Sequence, residues 1–251
     1  MADPPAPGSS RLVVGVQAVR EAICVHRGLA QRVAVDEKSS PRLEAIVRLA
    51  HDQHVQQVVR VPRSELDRLS RGVSHQGVAA WVPPLALLEL EPVLQGPRFL
   101  ALALDGIQDP QNFGAVVRSA VGLGNTPVIW GENSSAPLSL ATFRASAGAI
   151  EHARLCRVRS LRQALGDALE RGSRVVGLDV RASAYLHEID LTGPTVLVIG
   201  GEHQGIGGSL RRVCTCLARL AGMTTIESLN ASVAAGIALY EAEIQRTKSA
   251  S

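Results

Sequence analysis

Three polar stretches of this 251-residue chain hold most of the residue types that can do chemistry. The first is Asp105-Gly106-Ile107-Gln108-Asp109-Pro110-Gln111-Asn112-Phe113-Gly114, followed by Ala115-Val116-Val117-Arg118. Asn112 donates and accepts through one side chain and stands where a helix N-cap would stand. Gly114 permits close backbone approach, and Arg118 is a fixed cation in an otherwise apolar helix. The second is Gly200-Gly201-Glu202-His203-Gln204-Gly205-Ile206-Gly207-Gly208, a backbone able to wrap a ligand, with Glu202 its only acid. The third, residues 226–236, is dominated by small residues, and Ser228 or Asn230 would cap the helix it enters. Small residues there let that helix pack very close to another backbone.

Each stretch also has a plain structural reading. Asn112 can be only a cap and Arg118 a surface cation. The second can be a glycine-rich turn with a solvated Glu202, and the third a capped core helix. The second lacks the G-x-G-x-x-G order of dinucleotide sites and the Gly-Lys-Ser/Thr of a P-loop. No metal site is expected: Cys214 and Cys216 lack a second matching pair, and His51 and His54 lack a third ligand.

The elements that must position these loops follow from periodicity. Residues 12–14, 31–35, 55–61 and 78–82 read as strands. Helices are expected over 15–24, from Pro41, and around Leu66 and Leu69. Pro83-Pro84 stops the last strand, and residues 83–98 read as a linker with some apolar anchoring. Beyond it, residues 99–104 form a continuous apolar strand of the kind buried in parallel sheets. A helix over 114–123, a strand over 127–130 and a Ser- and Gly-rich stretch to 148 follow. Then come a helix over 161–171 capped by Ser160, strands over 174–178 and 195–199, and helices over 209–217 and 230–246. This alternation predicts a parallel α/β sheet. Ligands bind at the carboxyl ends of such strands, which selects the loops after Leu104, Leu178, Ile199 and Leu220.

Aromatics are 3% of the chain and aliphatic residues must build the core, within a hydrophobic fraction of 46%. The formal net charge of +3 is compatible with nucleic acid without requiring it. Arg60, Arg63, Arg68 and Arg71 are either an RNA-facing patch or an ordinary charged surface. No apolar run reaches the length of a membrane span. The four cysteines read as reduced thiols, which fits a cytoplasmic protein. Residues 1–10 read as a disordered leader without the order of a secretory signal.

Taken together, the three loops resemble the signature motifs of the SpoU (TrmH-like) RNA 2′-O-ribose methyltransferases. Leu104-Asp105-Gly106-Ile107-Gln108-Asp109-Pro110-Gln111-Asn112-Phe113-Gly114 looks like motif one. Gly200-Gly201-Glu202 resembles motif two, and Ser228-Leu229-Asn230-Ala231-Ser232-Val233-Ala234 motif three. Gly15-Val16-Gln17-Ala18-Val19 and His75-Gln76-Gly77-Val78 resemble the start and end of a small L30e-like domain. The resemblance is nearest to the bacterial enzymes that methylate a guanosine ribose in 23S rRNA (the RlmB-like subgroup) and to their mitochondrial relatives. The resemblance implies an L30e-like RNA substrate-binding domain over 11–82, the linker over 83–98 and a SpoU methyltransferase domain over 99–251. The latter is an α/β-knot (SPOUT) fold, a parallel sheet with a C-terminal trefoil knot, in a homodimer whose active site lies near the subunit interface.

The same resemblance implies S-adenosyl-L-methionine as cofactor, held around Leu178, Gly200, Leu220 and Leu229, with Asp179 beside it. It carries over Asn112, Arg118, Glu202, Ser228 and Asn230 as the catalytic set, and RNA, in particular 23S rRNA, as partner. In-line attack of a ribose 2′-oxygen needs help in losing its proton. A guanidinium is a poor base, so Arg118 is expected to bind the adjacent phosphate and stabilise oxyanion charge. The chain departs from the family pattern at Leu220-Ala221, where Ile-Pro is usual, at Thr215, where an acid is common, and at Ala231, where Val is common. Alternatives are the same chemistry on tRNA or on an rRNA adenosine, or a non-catalytic RNA-binding assembly factor.

Overall fold

The computed structural model of the protein describes residues 10–132, 138–202, 204–222 and 228–249. All but the last residue of the expected leader, together with His203 and residues 226–227 of the third stretch, lies outside them. The strands are β1 (Arg11–Val14), β2 (Arg32–Asp36), β3 (Gln57–Val61), β4 (Val78–Val82), β5 (Leu100–Asp105), β6 (Val128–Gly131), β7 (Leu155–Val158), β8 (Arg174–Leu178), β9 (Ala184–Tyr185), β10 (Thr195–Gly200) and β11 (Cys216–Arg219). The helices are α1 (Val16–His26), α2 (Pro41–Asp52), α3 (Arg63–Ser70), α4 (Leu90–Val93), α5 (Pro110–Gly122), α6 (Leu140–Ala145), α7 (Leu161–Glu170), α8 (Gly208–Arg211) and α9 (Ala231–Lys248). They fall into two compact units, one of residues 1–86 with 138–152, the other of residues 87–137 with 153–251.

The first unit is built on a four-stranded sheet in the order β1-β4-β2-β3. Val14, Ala34, Val61, Leu66 and Ala79 pack as its apolar core, with Leu140 of α6 against them. Its sequence-distant segment is tied in by charge. Glu151 is fully buried and pairs with Arg11 and, at 3.0 Å, with His26. Burial pushes the Glu151 carboxyl up, but hydrogen bonds from His26 and Arg11 outweigh it and hold it below the ordinary carboxylate range. His75, also buried, accepts from Gly77 N at Nδ1 and faces Asp67 through Nε2 at 2.9 Å.

The second unit is a seven-stranded parallel sheet in the order β7-β6-β5-β10-β8-β11-β9. Its central strands β5 and β10 are buried along most of their length, as continuous apolar runs require. Val93 and Leu94, in the expected linker, are buried in this unit's core.

Several local expectations are corrected. Helix α5 begins at Pro110, four residues before its expected start. Asp109 is its N-cap, accepting from Gln111 N, and Pro at the first helical position needs no N–H. Asn112 therefore sits inside the helix. The single helix expected over 209–217 is a short α8 followed by strand β11, which pairs with β8. Strands β7 and β9, and helix α6, were hidden in stretches without clear periodicity.

Candidate functional site

The site lies at the carboxyl ends of β5, β8, β10 and β11, all in the second unit. A cavity of about 590 Å³ opens there. Leu178, Gly200, Leu220 and Leu229, the four residues expected around a cofactor, all line it, as do Glu202 and Ser228. A second cavity of about 520 Å³ is bounded by Asp105, Gly106, Gln108, Asp109 and Asn112 on one side. Gly201, Glu202, Gln204 and Gly205 line both, so the glycine-rich loop is their common wall.

That loop can take its path only without side chains at its start. A Cβ at Gly200 would overlap the backbone of Gly205 and Ile206, and one at Gly201 would come within 2.6 Å of Gly106 O. The loop closes on itself through Gly205 N donating to Gly201 O at 2.9 Å.

Glu202 is held by two amides from distant parts of the chain. Asn112 Nδ2 donates to Glu202 Oε1. Asn230 Nδ2 donates to the same oxygen at 2.9 Å and to Asn112 Oδ1 at 2.9 Å. The triangle uses both polar atoms of the buried Asn112. Asn230 Oδ1 meanwhile caps α9, accepting from Ser232 N at 2.9 Å and Ser232 Oγ at 2.6 Å. Glu202 Oε2 has no hydrogen-bond partner among the described residues.

Arg118 is not brought into this cluster. It is exposed on α5, lines neither cavity and has no hydrogen bond or ion pair among the described residues. Ser228 lines the first cavity outside the hydrogen-bonded triangle.

Sequence reasoning missed three cations on the wall of the first cavity, Arg181, Arg211 and Arg219. Arg211 pairs with Asp179. Arg219 lies 4.3 Å over the Tyr185 ring and donates to its hydroxyl at 2.9 Å. Assigning residues 216–217 to a helix hid Arg219 at a strand's carboxyl end. Cys214 lies close by, and burial pushes its thiol up to about 11, so it stays protonated and a poor nucleophile at neutral pH. No group of three or more His, Cys, Asp or Glu among the described residues is arranged to hold a metal ion.

The family model for SpoU rRNA methylases matches residues 100–240, and the one for RNA 2′-O ribose methyltransferase substrate binding matches residues 12–88. The chain belongs to the SpoU rRNA methylase family. It is thus an RNA methyltransferase, carrying the family's N-terminal substrate-binding domain. An uncharacterized tRNA/rRNA methyltransferase of Mycolicibacterium smegmatis is 36% identical to this SpoU methylase over 219 residues, 85% of this chain and 69% of the relative. The SpoU methyltransferase AviRb of Streptomyces viridochromogenes, solved with AdoMet, is 25% identical with a TM-score of 0.79, covering 95% of this chain and 91% of that one. The TrmH/SpoU tRNA modifying enzyme of A. aeolicus is 28% identical with a TM-score of 0.55, covering 64% of this chain and 82% of that one. No helix among the described residues is long and apolar enough to cross a membrane.

Proposed function

We propose that this SpoU methylase transfers a methyl group from S-adenosylmethionine to the ribose 2′-hydroxyl of a guanosine in 23S rRNA, acting as a cytoplasmic homodimer with the family's trefoil knot. The observation that carries the reading is the carboxylate of Glu202, fixed by Asn112 and Asn230 on the wall shared by two cavities.

The residues of the first cavity fit the cofactor. Glycines 200 and 201 let the loop fold tightly against its own backbone and against Gly106, which shapes one wall of the cavity, and Leu178, Leu220 and Leu229 offer apolar surface to an adenosine. When bound, S-adenosylmethionine supplies an electrophilic methyl group. Glu202 Oε1 is saturated by the two amides, which leaves Oε2 to accept a hydrogen bond from the substrate hydroxyl. Ser228 orients groups at the rim of the same cavity. Arg118 binds the phosphate next to the reacting ribose and stabilises charge growing on the 2′-oxygen.

The guanosine reading is supported by the second cavity, whose charged lining among the described residues is Asp105, Asp109 and Glu202, with no Lys or Arg. Such a surface accepts hydrogen bonds, and guanine presents donors at both N1 and N2. The dimer is supported by Val233, Ile237 and Tyr240, exposed at i, i+4 and i+7 along α9. A Cβ added at Gly236, in the middle of that stripe, would lie 3.5 Å from Ser119 Oγ, so α9 passes close to the α5 residue that follows Arg118.

Arg118→Ala is the test of the catalytic assignment. The variant should keep the wild-type melting temperature and bind S-adenosylmethionine normally, yet lose turnover. Near-normal methylation by it would sink the assignment.

A further inference from the structure

The reaction as derived uses Asn112, Glu202 and Asn230 and gives Asp105, the last residue of β5, only a share in the acceptor surface of the second cavity. We propose that Asp105 is a positioning residue that clamps the glycine-rich loop, and with it Glu202, against both cavities. Its kinetic consequence rests on the methyl-transfer reading; the clamp itself does not.

Asp105 stands in register with Gly200 on the neighbouring strand, so its carboxylate lies beside the loop's entry. It also reaches the exit: Gly207 N donates to Asp105 Oδ2 at 2.7 Å. The turn after Asp105 touches the entry too, since Gly106 O leaves no room for a Cβ on Gly201. Both feet of the loop are therefore fixed by residues 105 and 106.

The exit foot has further reach. Gly207 O accepts from Leu210 N at 3.0 Å and Arg211 N at 2.9 Å, which starts α8. Arg211 in turn pairs with Asp179 on the wall of the first cavity. One carboxylate thus holds both the loop that carries Glu202 and the start of α8 that carries Arg211. Asp105 is half-buried, and hydrogen bonds accepted by an ionised group are the stronger kind.

The test compares Asp105→Ala and Asp105→Asn with wild type. An asparagine retains an oxygen that can accept from Gly207 N, whereas alanine has none. Hydrogen exchange of residues 200–211, affinity for S-adenosylmethionine by calorimetry, and kcat and KM on RNA are measured for each. In D105A, exchange should accelerate across 200–211, cofactor affinity should fall about ten- to a hundred-fold and kcat should fall with it. D105N should restore loop protection and affinity to within a few-fold of wild type. Unchanged exchange and affinity in D105A overturn the clamp. So does a D105N protein with a protected loop but the full loss of activity, because the charge of Asp105 then acts directly. If D105A does not fold, impaired loop protection in D105N alone contradicts the proposal. If all forms behave as expected in exchange and cofactor affinity but wild type methylates no RNA, the methyl-transfer reading fails and the clamp stands.

Discussion

Asn230 performs two tasks with two atoms, and a single substitution separates them. Its Oδ1 caps α9, and its Nδ2 donates to Glu202 and Asn112. Asn230→Asp keeps an acceptor for the cap and places a negative charge at a helix N-terminus, where it is welcome. It also replaces the donor by an oxygen facing the Glu202 carboxylate across a former 2.9 Å hydrogen bond. Two carboxylates relaxed to about 4 Å repel by about 4 kcal/mol at an effective dielectric near 20. At about 1.4 kcal/mol per factor of ten, that corresponds to roughly a thousand-fold in rate if Glu202 must hold its place at the transition state. Asn230→Ala instead loses the cap, about 1 kcal/mol, which lowers Tm by about 2–4 °C in a chain of this size. It leaves Glu202 under-held but not repelled. The account therefore predicts that at neutral pH N230D is both the less stable and the less active of the two variants, with stability and activity partly recovering as pH falls and the new pair shares a proton. Initial rates of methyl transfer from labelled cofactor and thermal melts across pH measure both. An N230D enzyme within a few-fold of wild-type kcat at neutral pH refutes the triangle as the organiser of the site.

Three further outcomes follow from other contacts. Gly200→Ala forces the loop backbone apart, at a cost of about 1–3 kcal/mol, so cofactor binding by calorimetry should weaken about ten- to a hundred-fold. Ile237→Glu puts a charge in the exposed stripe on α9; if that stripe is the proposed dimer seam, sedimentation velocity should find a dimer for wild type and a monomer for the variant, with turnover lost. Glu151 has a depressed folded pKa, so its contribution to stability is present above the unfolded carboxylate pKa and is lost as pH falls through the folded one. Glu151→Gln, which also strands the Arg11 cation, should lose about 3–5 kcal/mol in urea melts at neutral pH and show a flatter loss of stability on acidification.

The parallel sheet was legible because β5 and β10 are unbroken apolar runs and the helices between them are periodic. What was lost was lost for local reasons. The Asp109-Pro110 pair is a stronger helix start than Gly114, yet Asn112 drew attention as a cap because of its residue type. Residues 216–219 pair as an inner strand although only a short helix precedes them, so no turn signal separates the two. Residues 138–152 pack with β1 and α1 of the first unit through Glu151, a contact spanning 140 positions from Arg11 that no periodicity announces. The site shows the same division. Each of Asn112, Glu202 and Asn230 was singled out from its loop, but their closure into one triangle joins residues 90 and 118 positions apart. Arg118 was also singled out, and its place outside the cavities of its own chain was not legible at all.

Nucleoside analysis of RNA incubated with the purified protein and S-adenosylmethionine tests the central claim most directly. With 23S rRNA and tRNA as parallel substrates, the account predicts 2′-O-methylguanosine at a single position of the 23S rRNA. A methyl group on a base, or on no RNA at all, would contradict it.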